Sequence, residues 1–212
     1  MLIIGAGGHG RMVADAARMS GQWRRIAFVD DRYPELGSAS AWPVIGTVAE
    51  LGGLVSDWGK AVIAVGDNVT RIEMLERARS CNFDIVSVIH PSAQIAEDVT
   101  VGEGTVIFEN AVVNMGSILE DVCIVNTAAT VDHDNEIGVG VHLSPGVHLA
   151  GDVKIGDRSW IGIGAVVVQG CSVGHDVIVG AGAVVTKDID NGLTVAGVPA
   201  RELVTSESLP RD

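Results

Sequence analysis

The chain has 212 residues, 47% hydrophobic but only 4% aromatic, and a formal net charge of −13 at pH 7. That length holds two modest domains, each with its own core, and the acidic balance argues against nucleic acid or an anionic membrane as the partner. No apolar run approaches the roughly 20 residues of a membrane span, no basic and apolar leader opens the chain, and Cys81, Cys123 and Cys171 lack metal or disulfide spacing, so the expected setting is soluble, reducing and cytoplasmic.

Met1 to Ala6 reads as an apolar strand that runs into Gly5-Ala6-Gly7-Gly8-His9-Gly10, followed by an amphipathic helix from about Arg11 to Met19. A second strand, Arg25 to Val29, ends in Asp30-Asp31, and Tyr33 to Trp58 reads as loop with one short helix near Val48 to Leu51. A third strand, Ala61 to Val65, ends in Gly66-Asp67-Asn68; a helix from about Val69 to Cys81 and a fourth strand, Ile85 to Ile89, follow. Alternating strands and helices of this kind predict a small Rossmann-like parallel α/β domain over residues 1–86. Its Gly-x-Gly-x-x-Gly follows a strand, opens a helix and has two acids about twenty residues on, the context of a nucleotide-binding turn. The bland alternative is a tight turn with no ligand. Four strands do not supply the second mononucleotide half that NAD requires, so one nucleotide carrying something else fits better.

From Ile89 every sixth residue is Ile, Leu or Val: Ile95, Val101, Ile107, Val113, Leu119, Val125, Val131, Ile137, Leu143, Leu149, Ile155, Ile161, Val167, Val173, Val179 and Val185. The position four later is small or β-branched, with Asn135 its single amide. A strict six-residue period fits a parallel β-helix in which three hexads make one triangular coil. Residues eighteen apart then stack at roughly 4.8 Å, which assigns residues 87–190 to a β-helix and 191–212 to a tail with a frayed end. Gly102, Gly138, Gly156, Gly162, Gly174 and Gly180 recur beside the column, where a tight corner would use a permissive backbone. Val112, Ile118, Ile124, Trp160, Val166 and Ile178 fall outside the two core columns, and burying them between three prisms predicts a homotrimer.

His133 lies in Val131-Asp132-His133-Asp134-Asn135, where a carboxylate beside the imidazole would raise its basicity, as a general base requires. The bland reading is a solvated polar corner. His142 and His148 are one hexad apart, and the nine residues from His133 to His142 are half a coil, so those two rings would meet across a subunit interface. No carboxylate or cysteine set stands at usable spacing, so no metal is expected. His90 and His175 are read as surface residues, and Cys123 and Cys171 as small buried residues of the second column.

The combination of Gly5-Ala6-Gly7-Gly8-His9-Gly10, Phe28-Val29-Asp30-Asp31, Ala64-Val65-Gly66-Asp67-Asn68, Asn126-Thr127, Asp132-His133-Asp134 and Gly197-Val198-Pro199-Ala200-Arg201 resembles the nucleotide-sugar acetyltransferases of the sialic-acid O-acetyltransferase type, including the bacillosamine-pathway and perosamine N-acetyltransferases. The resemblance implies a left-handed β-helix and a homotrimer. It implies that His133 is the catalytic base and Asp134 the acid that raises its basicity. It further implies an acetyl-CoA site at His142, Gly151, Ile163 and Ala181, and a substrate pocket at Gly7, Gly8, His9, Asp30, Asp31, Asp67, Asn126 and Asp132. Asp132 and Asp134 stand where bacillosamine-pathway relatives carry glutamate, and Asp67 where they carry asparagine.

The expected activity is therefore acetyl transfer from acetyl-CoA, without a metal, to the amino group of a nucleotide-linked 4-amino-4,6-dideoxy sugar for surface-glycan synthesis, with UDP as the expected nucleotide. O-acetylation of a sialic acid or its activated form is the alternative within the enzymes. A non-catalytic prism, such as an ice-binding one, would show repeated threonine columns and has no use for the glycine loop or for Asp132-His133-Asp134.

Overall fold

The computed structural model describes residues 1–203. In the N-terminal domain β1 (Leu2–Ile4), α1 (Gly8–Met19), β2 (Ala27–Val29), β3 (Ser38–Ala39), β4 (Trp42–Pro43), α2 (Leu51–Trp58), β5 (Lys60–Ile63), α3 (Asn68–Ser80) and β6 (Asp84–Ile85) follow in order. Four of the strands form a parallel sheet in the order β2-β1-β5-β6. Leu2, Ile3 and Ile4 are fully buried because helices cover both faces, which is why this strand reads as a continuous apolar run.

Three details differ from the sequence reading. α1 begins at Gly8, with Gly7 as its N-cap, so the glycine loop is itself the first turn of the helix. The segment Tyr33 to Trp58 contains the β3–β4 hairpin, and its short helix is a 3-10 turn, Val48–Glu50, that continues into α2. That turn carries a reciprocal cap between Thr47 and Glu50, a signal present in the sequence. The fourth strand is two short ones, with β6 completing the first sheet and Val88–Ile89 starting the solenoid.

The solenoid has three faces. The first stacks Val88–Ile89, Val106–Ile107, Ile124–Val125, His142–Leu143, Trp160–Ile161 and Ile178–Val179. The second stacks Gln94–Ile95, Val112–Val113, Thr130–Val131, His148–Leu149, Val166–Val167 and Val184–Val185. The third stacks Thr100–Val101, Ile118–Leu119, Glu136–Ile137, Lys154–Ile155 and Ser172–Val173. Every pairing along these faces is parallel and offset by eighteen residues, as in Val125 with Leu143. The aliphatic column and the small column fill the axis together, from Ile107 to Val185. Beyond it Thr194–Ala196 and Arg201–Glu202 extend the first face and close that end, so the expected tail is folded up to this point. Residues 204–212, where the frayed end was expected, lie outside the described residues.

Val88, Val106, Phe108 and Ile124, on the first face and its edge, pack with Val13, Ala14 and Ala17 of α1 in one apolar cluster. Ile124 is thus covered by the chain's own α/β domain and is not left over for a partner. Ile118, Trp160 and Ile178 remain exposed by 40%, 48% and 46%, a broken apolar surface on the solenoid.

The glycines beside the core column serve a different purpose from the one expected. None of the six has positive φ; that conformation belongs to another position of the hexad, held by Gly116, Val122, Ala128, Asp134, Gly140, Gly146 and Asp152 among others. A Cβ on Gly156 would instead stand 2.6 Å from the backbone of Gly174 and His175 on the next coil. These glycines permit close coil-to-coil approach. Gly156→Ala is therefore expected to lower stability by roughly 1–3 kcal/mol, the usual cost of overpacking. Asp152→Gly, at φ 55, exchanges a strained residue for a permissive one and should change it by less than about 1 kcal/mol. Equal effects in thermal unfolding would contradict this division of roles.

Candidate active site

The glycine loop separates into structural and open positions. A Cβ on Gly10 would run into the Gly5 carbonyl oxygen, and Gly5 itself has φ 105, so these two hold the tight strand-to-helix turn. Around Gly7 and Gly8 a Cβ would meet nothing within 4 Å. They face a cleft of about 300 Å³ shared with Arg11, Arg32, Leu36 and Ser38 to Ser40. A helix N-terminus and Arg11 beside open backbone form a natural anion cradle, next to Arg32, which is paired with Asp30.

The acids around it have partners. Asp30 accepts the Ala6 N–H at 2.9 Å and two hydrogen bonds from the Arg32 guanidinium, which holds its carboxyl well below the usual range. Asp31 accepts the Val48 N–H at 3.0 Å, and Asp67 caps α3 by accepting the Thr70 N–H at 2.9 Å and the Thr70 hydroxyl. Each of these carboxylates holds a backbone N–H at a loop or helix end, and none of the three lines the cleft itself.

His133 sits on the edge between the second and third faces. Its Nδ1 is 2.8 Å from Asp134 Oδ2, a contact that raises the pKa above the ordinary 6.5, with the charges of Asp132 and Asp152 acting in the same direction. Holding the proton on Nδ1 leaves Nε2 as the basic atom. Asp134 tolerates the left-handed φ of 59 demanded by its hexad position, which turns its carboxylate back to the preceding ring. Asn135, fully buried, donates to the carbonyls of Asp132, His133 and Ala150 and accepts from the Val153 N–H. The amide that broke the small column is the staple of the His133 corner. Asp132 accepts the His133 N–H and a hydrogen bond from Asn114. Gly151, one coil on, lies under the imidazole, where a Cβ would be 2.5 Å from its Nε2 and Cε1.

His142 belongs to the first face. Its ring stacks on Trp160, one coil on, at 5.5 Å between centroids and 3° between planes, and Trp160 donates its indole N–H to Ser144. Asn126, whose Oδ1 accepts the Thr127 N–H, places its amide nitrogen 3.3 Å from His142 Nε2. That arrangement puts the proton on Nδ1, a buried donor with no partner among the described residues. Burial, then the charge of Arg71, pushes the pKa of His142 down to about 3. His9 of α1 meets Phe108 edge-on at 5.6 Å, has a buried Nε2 with no partner among the described residues, and is pushed down to about 4 by burial and Arg71. The structure thus brings His9, Asn126 and His142 to the seam between the domains.

It does not bring His133 to them. Ile163 and Ala181, both exposed and eighteen residues apart, continue along the edge between the first and second faces, next to the His142 strand. His133 and Gly151 occupy the other edge of the second face. Within one chain that face separates the expected base from His142, Ile163 and Ala181, while Gly151, also expected at the acetyl-CoA site, stands with His133. His148 points outward from the second face and bonds Thr130. His90 contacts Ser92, and His175 accepts the Asp157 N–H in a solvated corner. Sequence reasoning missed Trp160 as the partner of His142, although their spacing of eighteen pointed to it, and missed the buried Arg71, for which no periodic signal exists. Among the described residues no His, Cys, Asp or Glu group is arranged to hold a metal ion, and no helix is long and apolar enough to cross a membrane.

Fold and site together define a two-domain hexapeptide-repeat acyltransferase. Residues 1–78 match the PglD N-terminal domain family and residues 152–187 the bacterial transferase hexapeptide (six repeats) family. The acetyltransferase domain of PglB from Neisseria gonorrhoeae FA1090, in complex with acetyl coenzyme A, is similar at a TM-score of 0.92 and 46% identity, over 95% of this chain and 98% of that one. PerB from Caulobacter crescentus, in complex with CoA and GDP-perosamine, is similar at a TM-score of 0.91 and 36% identity over 96% of each chain. UDP-N-acetylbacillosamine N-acetyltransferase of Bacillus subtilis (strain 168) is 36% identical over 107 residues, 50% of this chain, and the match spans 49% of that enzyme's length. The chain belongs to the hexapeptide-repeat acetyltransferases that carry a PglD N-terminal domain. The sugars named for these relatives are bacillosamine and perosamine, both N-acetylation substrates; a sialic acid is not among them.

The opposite environments of the two histidines can be measured. In an NMR pH titration His133 should titrate above 6.5, and Asp134→Asn should bring its midpoint down, because a hydrogen-bonded negative charge is removed. His142 should stay neutral from pH 8 to about pH 5. A midpoint for His133 that is unmoved by Asp134→Asn would reduce Asp134 to a surface acid.

Proposed function

We propose that this chain transfers the acetyl group of acetyl-CoA directly to the amino group of a nucleotide-linked 4-amino-4,6-dideoxy sugar, for surface-glycan synthesis, with UDP as the nucleotide and His133 as general base. The observation that carries the reading is the His133–Asp134 pair at 2.8 Å with Gly151 flat beneath the imidazole. Asp134 supplies basicity and tautomer there, and Gly151 lets the backbone of the next coil lie against Nε2. The α/β cleft at Gly7 and Gly8 suits a nucleoside diphosphate, with Arg11 and Arg32 beside it.

The neutral amine attacks the thioester carbonyl. As the C–N bond forms, His133 Nε2 takes the proton; as the C–S bond breaks, coenzyme A leaves as a thiolate, which His133 can reprotonate. The developing oxyanion needs a preorganised donor. The backbone N–H of His142 is already bonded to the Ser159 carbonyl at 3.0 Å, so it is excluded from this task. The buried Nδ1–H of His142 and the backbone N–H of Gly151 are the candidates that remain. A neutral His142 suits the role, since its N–H donates without a positive charge that would lower the basicity of a nearby base.

Two edges of the solenoid are needed for this chemistry, so the reading includes a homotrimer in which His133 of one protomer faces the His142–Ile163–Ala181 edge of the next. The exposed Ile118, Trp160 and Ile178 favour such burial. The PglB and PerB complexes with acetyl coenzyme A or CoA support the co-substrate.

His133→Ala should cut turnover by about 10² to 10⁴ with acetyl-CoA binding little changed. The rate is carried by the unprotonated form of His133, whose pKa is raised, so activity should fall as pH drops through a midpoint above 6.5, and Asp134→Asn should move that midpoint to lower pH. Release of free thiol, followed with UDP-, GDP- and dTDP-4-amino sugars, checks both the substrate and the base. A near-normal rate for His133→Ala at neutral pH would reject the assignment.

A further inference from the structure

Arg71, in α3, is 1% exposed, yet none of its partners is a carboxylate. Its Nε donates to the Val122 carbonyl at 2.8 Å, Nη1 to the Val65 and Gly66 carbonyls at 3.0 Å each, and Nη2 to Asn68 Oδ1 at 2.8 Å and the Gly140 carbonyl at 2.7 Å. Burial draws its pKa down to about 10, which leaves the guanidinium charged at neutral pH. A buried cation that bonds no carboxylate and has only the charge of Asp67 nearby is a costly way to hold two domains together, and an apolar side chain would seal the seam with less desolvation. Stability alone does not account for it.

The partners indicate another purpose. Val65 and Gly66 form the loop after β5, at the mouth of the α/β domain beside Asp67. Gly140 is the corner residue two positions before His142. Asn68, held by Arg71, donates its amide to the carbonyls of Arg158 at 2.8 Å and Ser159 at 3.3 Å, immediately before Trp160. One planar fork and one amide therefore grip the loop of the first domain and both corners that launch the stacked His142–Trp160 pair. A guanidinium can do this because its five N–H groups lie in one rigid plane.

We propose that Arg71, acting through Asn68, is a positioning residue that registers the substrate-holding α/β domain against the His142–Trp160 stack. The proposal rests on the function inferred above only for the identity of the substrate.

The test compares Arg71→Lys, which keeps the charge but loses the fork, with the milder Asn68→Ala. Both should lower kcat by about 10- to 100-fold, the penalty for small misplacement of reacting groups, while the acetyl-CoA KM changes less than about threefold. The indole N–H resonance of Trp160, assigned with Trp160→Phe, should shift in both variants while that of Trp23 stays in place. This signal needs no substrate, so it decides the positioning role even if no nucleotide sugar is turned over, an outcome that would overturn only the proposed function. A lower unfolding temperature with an unmoved Trp160 resonance would make Arg71 a structural bolt and overturn the proposal.

Discussion

The register of eighteen residues between stacked strands is the constraint on which the rest of this structure depends. It comes from three hexads closing one coil, with an aliphatic and a small side chain from each hexad filling the axis. Once that register holds, every residue of the solenoid acquires a fixed neighbour on the next coil. Gly151 lies beneath His133, Trp160 beneath His142, and Asn135 bridges Ser117 and Val153. The site is a set of such vertical pairs standing on different edges. A slip of one hexad would leave each core column apolar while moving every functional pair to another edge.

The two histidines show how one scaffold sets opposite chemistry. His133 is solvated and beside a carboxylate, so its protonated form is favoured and its basicity rises. His142 is enclosed by Trp160, Asn126 and the α/β domain with a positive guanidinium nearby, so its neutral form is favoured. In the proposed function this divergence divides proton transfer from hydrogen-bond donation. Arg71 takes part in both the geometry and the electrostatics, since its charge also depresses His9.

The solenoid was legible because its period is sequence-local: the aliphatic column from Ile89 to Val185 needs no knowledge of what covers it. The His133 corner was legible for the same reason, since Asp132, Asp134 and Asn135 are its neighbours along the chain. What escaped depends on contacts across the chain. Ile124 reads as an outward apolar residue, and only the packing of α1 shows that it is buried. Gly156 and Gly146 look alike in sequence, yet one permits close approach and the other supplies a positive φ. Arg71 carries no periodic signal at all, because its acceptors at Val122 and Gly140 lie more than fifty residues away. Asp30, Asp31 and Asp67 fit a ligand pocket by position, and the structure shows that each also holds a backbone N–H at a loop or helix end.

The central claim of the proposed function is that His133 and His142 of one site come from different protomers. Mixing chains that carry only His133→Ala with chains that carry only His142→Ala, after unfolding and co-refolding, tests it directly. In a cyclic trimer each mixed assembly contains one interface that joins an intact His133 to an intact His142, so random mixing should restore up to about a quarter of wild-type activity from two inactive parents. Recovery at that level is the predicted result. A mixture as inactive as its parents, with mixed assemblies shown to form, would place both histidines of each site in one chain and contradict the account.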